Sequence, residues 1–276
     1  MKKLKIIPIF VPHRGCPHRC SFCNQRHITG THDEATPQTV RDTAEKYLST
    51  MDKERHSVYI AFYGGSFTAV DRDIQDSLLN VALEYKNRGL IDGIRLSTRP
   101  DCIDSKILQN LREKGVTEIE LGVQSMCADV LMQNGRGHTA KDVEISARMI
   151  KEYGFTLGLQ MMIGLIGDTE EKSIYTARRI AALKPDFVRI YPTLVFKNTD
   201  LYDEYIKGSF TPLTLEQAVE ISAVIMRVFN ENRIKVIRLG LLISGDEAEQ
   251  NLVAGPYHPR FRELVEKRLN SINDKL

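Results

Sequence analysis

The sequence predicts an α/β fold, a partial (β/α)6-type parallel barrel with a short carboxy-terminal extension. Apolar, strand-like runs alternate with helix-like segments six times, and several of those runs alternate apolar with polar residues. The segment after Gly240 breaks this order. Strand–helix alternation favours right-handed βαβ units in a parallel sheet. We therefore predict a barrel at residues 1–239 and an extension at residues 240–276, either in the same domain or docked on it.

Capping and turn residues set the predicted bounds of the elements. Pro37 suits the first turn of a helix that Thr36 can cap, and Gly89, Gly115 and Gly154 each follow a helical pattern. Strands are predicted at 6–11, 58–63, 93–98, 117–123, 155–163, 186–191 and 234–239. Helices are predicted at 36–51, 72–88, 104–114, 128–132, 140–153, 170–183, 215–232 and 261–269. A loop containing Pro192 and Pro212 is predicted before the helix at 215–232.

The strand at 117–123 indicates what the barrel interior contains. Its apolar residues Ile119, Leu121 and Val123 alternate with Glu118 and Glu120. Because successive side chains point to opposite faces, the apolar set can pack under the helices while the polar set faces a shared interior. A packed barrel would hold Val, Ile and Leu there, so a polar interior predicts a site.

Charges in such an interior are costly unless they are paired. We expect pairing, with one another or with ligands, for Arg95, Arg99, Arg189, Glu118 and Glu120.

Composition excludes several functional classes. Hydrophobic residues at 42% and charged residues at 27% are typical of a globular protein with an ample core. The net charge of +2 gives no global argument for nucleic-acid binding. The apolar runs are too short to span a membrane, and the first residues lack the apolar region of a signal peptide. We expect a cytoplasmic location and no membrane partner.

Three cysteines follow the first predicted strand at the spacing Cys-x3-Cys-x2-Cys: Cys16, Cys20 and Cys23. Thiolates suit iron–sulfur clusters, zinc and copper. Three of them can hold three irons of a 4Fe–4S cluster and leave the fourth iron open, as a catalytic metal site requires. The alternative is a zinc site completed by His13, His18 or His27. A disulfide is disfavoured because the cysteine count is odd and no secretory signal precedes it.

The cysteine spacing, followed by Gly64 and Gly65 after the second strand, resembles the radical S-adenosylmethionine (SAM) superfamily. In that superfamily the open iron binds the amino and carboxylate groups of SAM. An electron from the cluster then cleaves SAM to methionine and a 5′-deoxyadenosyl radical. The resemblance therefore implies a 4Fe–4S cluster, SAM, and an electron donor such as flavodoxin or ferredoxin.

The resemblance also implies SAM contacts at the ends of strands, where functional residues of α/β barrels lie. Gly64 and Gly65 would accept the methionine amino group through backbone carbonyls, since the absence of side chains permits close approach. Ser97, Gln124 and Gln160 lie where relatives contact the ribose hydroxyls and methionine. These three are uncharged here, whereas relatives often carry carboxylates.

Four further residues complete the implied site. Arg136 lies where the family's arginine pairs with the SAM carboxylate, which suits the bidentate geometry of a guanidinium. Ile163 begins a segment that resembles the one packing on adenine, and Phe22 occupies the position that shields adenine. Tyr191 could donate a hydrogen atom, orient the substrate, or serve only as an aromatic plug.

Longer motifs resemble the radical SAM domain of the Elongator catalytic subunit. They lie at 63–68, 97–101, 121–125, 136–139 and 189–195, and the match covers most of residues 6–240. The resemblance implies modification of the wobble uridine of tRNA at carbon five, with acetyl-CoA as the acetyl source. That family carries an acetyltransferase domain after the barrel, for which 276 residues leave no room. We expect either a fragment of a longer protein or a stand-alone relative with different chemistry, and we expect a separate protein to deliver any acyl group.

Two alternatives stay open at this point. The barrel also resembles, more weakly, the coproporphyrinogen dehydrogenase class, which implies a small metabolite such as a porphyrinogen as substrate. A zinc-stabilised RNA-binding module without catalysis is the non-enzymatic alternative. Basic residues near the cysteines predict either a phosphate-binding surface or an ordinary solvated one: Lys2, Lys3, Lys5, Arg14, Arg19 and Arg26.

Overall fold

The computed structural model describes residues 2–11, 16–23, 35–52, 54–241 and 246–273. The strands in these residues are β1 (Lys3–Val11), β2 (His56–Gly64), β3 (Gly93–Thr98), β4 (Glu118–Gln124), β5 (Thr156–Ile163), β6 (Phe187–Pro192), β7 (Val195–Phe196), β8 (Lys235–Leu239) and β9 (Leu252–Ala254). Seven of them form one parallel sheet in the order β1-β2-β3-β4-β5-β6-β8. The predicted α/β architecture is confirmed as an open parallel half-barrel. His13, Arg14, Arg26 and His27 lie outside the described residues.

The helices of the described residues are α1 (Pro37–Leu48), α2 (Arg72–Asn87), α3 (Ser105–Glu113), α4 (Ala128–Gln133), α5 (Ala140–Glu152), α6 (Glu170–Ala182), α7 (Asp200–Ile206), α8 (Leu215–Glu231), α9 (Asp246–Asn251) and α10 (Phe261–Asn273). All seven predicted strands and all eight predicted helices occur among the described elements. Capping explains several starts. Thr36, Thr139 and Thr214 each accept a hydrogen bond from a first-turn backbone amide and form capping boxes.

One face of the sheet forms the hydrophobic core. Ile119, Leu121 and Val123 of β4 are fully buried in one cluster with residues of the surrounding helices, such as Val143 and Ile150 of α5. The opposite face of β4 carries Glu118 and Glu120. The predicted division of the strand into an apolar and a polar face is therefore confirmed, and the polar face of the sheet is named the inner face below.

The loop predicted between residues 192 and 212 is wrong. It contains β7 and α7, and β7 pairs in antiparallel fashion with β9 of the extension, where the sequence predicted a single helix. Strands of two and three residues are too short to show a periodic pattern, which explains both errors. The pairing attaches the chain after residue 239 to the loop that follows β6. The domain boundary at residue 239 stays a prediction.

Gly255 closes this small sheet. Its φ is +112°, and a Cβ atom there would lie 2.9 Å from the Thr193 carbonyl oxygen. Only glycine tolerates both the backbone conformation and this approach.

We expect Gly255→Ala to lower the free energy of unfolding more than Gly154→Ala does. Both positions have a positive φ, but a Cβ at Gly154 (φ +81°) meets nothing within 4 Å. Backbone strain alone costs about 1–3 kcal/mol, and the close contact adds to this at Gly255. Urea denaturation of both variants measures the difference. Equal losses would show that the approach of Gly255 to Thr193 does not hold the extension in place.

Candidate active site

A cavity of about 750 Å³, named the larger cavity, lies along the inner face of the sheet. Six of the residues singled out from the sequence line it: Phe22, Cys23, Gly64, Ser97, Gln160 and Tyr191. The other six do not: Cys16, Cys20, Gly65, Gln124, Arg136 and Ile163. The inner face of β1 adds an apolar wall through Ile6, Pro8 and Phe10, and the rest of the lining combines aromatic rings with charged groups.

Arg189 lies at the centre of the polar lining. Its Nε lies 2.9 Å from Glu120 Oε2, and it donates hydrogen bonds to the hydroxyls of Tyr191 (3.2 Å) and Tyr63 (3.1 Å). Burial opposes its charge, but Glu120 and the two tyrosines outweigh it, so the pKa of Arg189 is raised. Burial also raises the pKa of Glu120, against the opposing effect of Arg189. The ion pair thus holds a guanidinium in one place inside the cavity.

The remaining interior charges are paired as the sequence predicted. Arg95 Nε donates to Glu118 at 2.5 Å. Arg99 instead pairs in bidentate fashion with Asp101, at 2.9 and 3.0 Å, and with neither glutamate.

The hydroxyl of Tyr191 accepts its hydrogen bond from Arg189, so its own proton points elsewhere. Burial raises the pKa of Tyr191, although the charge of Arg189 opposes this. The residue is therefore protonated at neutral pH. A protonated phenol lining the cavity can donate a hydrogen bond or a hydrogen atom to a bound molecule.

Two neighbouring regions hold the cysteine segment, residues 16–23. The Ser21 amide donates to the Asn134 carbonyl (3.1 Å), and the Ser21 hydroxyl donates to Asn134 Oδ1 (2.9 Å). From the other side, the Leu201 amide donates to the Ser21 carbonyl at 2.8 Å. Phe22 packs against an apolar cluster that includes Leu201 and Ile166. The segment is therefore fixed between the end of α4 and the start of α7.

Sequence reasoning missed Asn134, the residue on which this arrangement depends most. It is fully buried, and its Nδ2 also donates to the carbonyls of Val130 (2.8 Å) and Ile166 (2.9 Å). It therefore links the cysteine segment, α4 and the loop after β5. An asparagine before a glycine at a helix end is the usual sign of a helix terminus, so no separate pattern in the sequence indicates this role.

Arg136 lies directly beside the cysteine segment. Its Nη1 donates to Cys20 Sγ at 3.2 Å, and its Nη2 donates to the Gly122 carbonyl. Its buried Nε has no hydrogen-bond partner among the described residues. Arg99 donates to the Arg136 carbonyl, which brings a second guanidinium to the same place. Two cations thus lie close to the cysteine thiols.

His138 is neutral in this environment. Burial, together with the charges of Arg136 and Arg99, lowers its pKa to about 3. Its Nε2 lies 3.2 Å from the Val123 carbonyl, where a neutral ring can donate a hydrogen bond. The residue joins the turn after α4 to the end of β4.

Gln124 adopts a backbone conformation that is unusual for its residue type. Its φ is +65°, and the β4–β5 register shifts between Gly122 and Gln124. Its side chain accepts a hydrogen bond from Gln160 Nε2 at 3.2 Å. A Cβ at Gly122 would lie 3.0 Å from Gln124 Nε2, so the glycine makes room for the amide. Strained residues of this kind cluster at functional sites.

Gly64 has a structural reason of its own for being glycine. Its φ is +112°, and a Cβ would lie 2.9 Å from the Val11 carbonyl oxygen of β1. The Gly65 amide donates to the same oxygen at 3.0 Å. The pair therefore joins the ends of β1 and β2, next to the larger cavity.

Ile163 lies on the opposite side of the sheet. Its side chain is fully buried in the hydrophobic core with Met161 and Leu159, whereas Gln160 and Met162 line the cavity. Its carbonyl accepts hydrogen bonds from the amide (2.9 Å) and hydroxyl (2.7 Å) of Thr193. Because the side chain is in the core, only the backbone atoms of Ile163 can contribute to the cavity.

The cysteine thiols are chemically suitable metal ligands, but in this structure the described side chains are not grouped around a metal site. None of the five cysteines forms a disulfide. Within the described residues, no group of three or more His, Cys, Asp or Glu side chains is spaced to hold a metal ion. Of the histidines considered for zinc, His18 lies 3.9 Å from Asp101 Oδ2.

Sequence comparison identifies the family. A profile described as the Radical SAM superfamily matches residues 10–180, and one described as the Radical_SAM C-terminal domain matches residues 185–271. The chain belongs to the radical SAM superfamily. As a member, it is an enzyme with the fold of the other radical SAM proteins.

Its similar proteins include Elongator-type radical SAM proteins. The tRNA uridine(34) acetyltransferase of Methanocaldococcus jannaschii is 26% identical, and the match covers 78% of this chain and 47% of that protein. Elongator complex protein 3 of Homo sapiens is 28% identical, covering 95% of this chain and 55% of that protein. The chain therefore spans about half the length of these curated relatives.

A solved structure supports the fold assignment. Elp3 of the archaeon Methanocaldococcus infernus, with an amino-terminal deletion, matches with a TM-score of 0.76 at 22% identity, covering 99% of this chain and 64% of that one.

None of the helices in the described part of the radical SAM chain combines the length and apolar character needed to cross a bilayer.

We expect Asn134→Ala to expose the cysteine segment. The change removes the side-chain bonds to Ser21, Val130 and Ile166, and leaving buried partners unsatisfied costs about 1–3 kcal/mol. Local opening then becomes more frequent, so Cys20 should react several-fold faster with iodoacetamide, as followed by peptide mass spectrometry.

The matched control is Asn80→Ala, which removes an exposed amide that accepts a hydrogen bond from Lys114. Its alkylation rate at Cys20 should equal that of the unmodified chain. An unchanged rate in Asn134→Ala would show that the backbone hydrogen bonds of Ser21, to the carbonyl of residue 134 and from the Leu201 amide, hold the segment without the Asn134 side chain.

We expect Glu120→Gln to destabilise the fold strongly, because Arg189 would then be a buried charge without a counter-charge. Breaking one side of a buried pair costs about 3–5 kcal/mol. The control is Glu144→Gln, whose pair with Arg179 is more exposed, with 34% of the Glu144 side chain accessible against 4% for Glu120. Exposed pairs contribute about 0–1 kcal/mol. Similar free energies of unfolding for the two variants in urea would contradict the structural role of the buried pair.

Proposed function

We propose that this radical SAM enzyme binds a 4Fe–4S cluster through Cys16, Cys20 and Cys23, binds SAM beside it, and modifies a uridine of tRNA. One observation carries the proposal. Cys23 and Phe22 line the same cavity as residues at the ends of several parallel strands. A cofactor held by the cysteine segment would therefore face the same space as a bound substrate.

The residues present fit a cluster by their chemistry. Three cysteines that form no disulfide lie within eight residues, and soft thiolates are the usual ligands of iron–sulfur clusters. Arg136 already donates a hydrogen bond to Cys20 Sγ, and such bonds to sulfur tune a cluster's potential. When bound and reduced, the cluster supplies the electron that cleaves SAM to methionine and a 5′-deoxyadenosyl radical.

The SAM contacts follow from where the side chains lie. Ser97 and Gln160 line the larger cavity and are available to hydroxyl and amino groups of SAM. Gln124 acts through its hydrogen bond to Gln160. Gly64 and Gly65 offer backbone carbonyls near the end of β2.

Three other residues border SAM in this proposal. Arg136 has one donor, Nε, without a hydrogen-bond partner in the described part of the chain, and this donor would be available to the SAM carboxylate. Phe22, which packs against the same apolar cluster as Ile166, would shield the adenine. Ile163 positions the backbone of residues 163–167, since its side chain belongs to the core.

The substrate and partners rest on the similar proteins. Their names specify uridine 34 of tRNA and an acetyltransferase activity, which motivate tRNA as substrate and a separate acyl-donor protein. Tyr191, protonated and fixed by Arg189, would donate a hydrogen bond or a hydrogen atom to the substrate. We further propose a flavodoxin or ferredoxin as electron donor and a cytoplasmic location.

We expect a variant with alanine at Cys16, Cys20 and Cys23 to lose iron, sulfide and 5′-deoxyadenosine formation together after anaerobic reconstitution. Cys127→Ala is the control, because Cys127 lies at the start of α4, outside the larger cavity. It should keep all three. Retention of iron and SAM cleavage by the triple variant would refute the cluster assignment, and one equivalent of zinc would favour a structural site.

The substrate is tested by offering total tRNA to the reduced, reconstituted protein with SAM. The yield of 5′-deoxyadenosine should rise with tRNA, and nucleoside mass spectrometry should reveal a modified uridine. A yield indifferent to tRNA but raised by a porphyrinogen would refute the tRNA assignment.

A further inference from the structure

A second, smaller cavity of about 160 Å³ adjoins the larger one. The two share Arg238 and Leu241 in their linings. The smaller cavity lies between β8 and the extension, and its charged or titratable lining residues are all basic: Arg238, His258 and Arg262. A path lined by cationic and donor groups therefore leads away from the larger cavity.

Among the described residues that line this path, Arg238 is the charge that no described carboxylate balances. It is the register partner of Arg189 on the neighbouring strand, and both side chains line the larger cavity. Glu120 neutralises Arg189, whereas the side chain of Arg238 makes no hydrogen bond or ion pair with any described residue; its backbone belongs to the ladder between β6 and β8. Like charges at directly opposed positions of a sheet destabilise it. An anion bound at Arg238 would remove that repulsion.

The other basic residues of the smaller cavity also present donors. Arg262 uses Nε on Glu266 (2.7 Å) and Nη1 on the Val236 carbonyl (3.0 Å), which fixes its guanidinium against β8. His258 Nδ1 accepts a hydrogen bond from the Arg260 amide at 3.1 Å. In the neutral ring the proton is therefore on Nε2, which is a donor.

We propose that Arg238 binds the RNA backbone phosphate next to the nucleotide whose base enters the larger cavity, and that the smaller cavity receives the following phosphate at His258 and Arg262. The inference rests on the proposed RNA substrate and deepens it. Guanidinium groups match phosphate oxygens in bidentate fashion. Two adjoining basic sites suit successive anions of a strand better than the carboxylate of a single small molecule.

The test uses a synthetic anticodon stem-loop RNA with uridine at the wobble position and the full reconstituted chain. We expect Arg238→Gln to weaken binding about tenfold or more, as loss of a charge-assisted bond implies. The slope of log affinity against log salt should shrink by about 0.7–1, the contribution of one phosphate. The matched control is Lys235→Gln, on the same strand and exposed but outside both cavities, which should change neither quantity.

A second measurement identifies the phosphate. Stem-loops carrying a single neutral methylphosphonate at each linkage around the wobble uridine are bound to both proteins. At one linkage, neutralisation should weaken binding to the unmodified chain about tenfold but leave binding to Arg238→Gln unchanged, because the partner is already lost. Purely additive losses at every linkage would overturn the contact.

The outcomes separate this inference from the proposed function. Equal affinity and salt slope for the unmodified chain and Arg238→Gln would refute the phosphate site while the RNA substrate stands. Failure of the unmodified chain to bind the stem-loop would refute both. If a coproporphyrinogen, and not the RNA, loses affinity in Arg238→Gln, the site holds a carboxylate and the phosphate assignment is wrong.

Discussion

The pairing of Arg189 with Glu120 is the interaction on which the inner face depends. A parallel sheet buried on both sides would fill with Val, Ile and Leu, and here one side carries charges instead. Because neither charge can be left alone away from water, each holds the other, and Arg189 also fixes the hydroxyls of Tyr63 and Tyr191. The ion pair thus keeps the inner face polar, and it orients the hydroxyl groups of Tyr63 and Tyr191 at the cavity.

The cysteine segment is built on a different principle. It has little secondary structure of its own, so its position comes from hydrogen bonds to its neighbours, above all those of Ser21 with Asn134 and Leu201. Asn134 makes bonds in three directions from a fully buried site. The location of the cysteine segment is thereby set by rigid elements on either side, while its three thiols are not tied up in disulfides.

Features that follow from the periodic alternation of apolar and polar residues were predicted correctly from the sequence. Strand alternation placed Ser97, Gln160 and Tyr191 on the inner face, where they line the cavity. The same alternation assigns Ile163 to the core with Met161. The family resemblance instead assigned Ile163 to the SAM site, so the two lines of prediction disagreed at this position. Contacts without a period were out of reach: the role of Asn134, the pairing of β7 with β9, and the positive φ of Gln124. Each depends on residues distant in the chain that only folding brings together.

The arginines near the cavity show how surroundings decide the use of one residue type. Arg95 and Arg99 are committed to carboxylates at short distance and have structural roles. Arg189 is equally committed but lines the cavity, so it orients tyrosines. Arg136 donates one hydrogen bond to a thiol and one to a carbonyl, and its Nε has no hydrogen-bond partner among the described residues. Of these five side chains, only that of Arg238 makes no hydrogen bond or ion pair with the described residues. A guanidinium binds an external anion most strongly when it is not already paired with a carboxylate. In this set, the arginines that are paired with carboxylates support the fold, and Arg238 on β8 is the one best suited to bind an external anion.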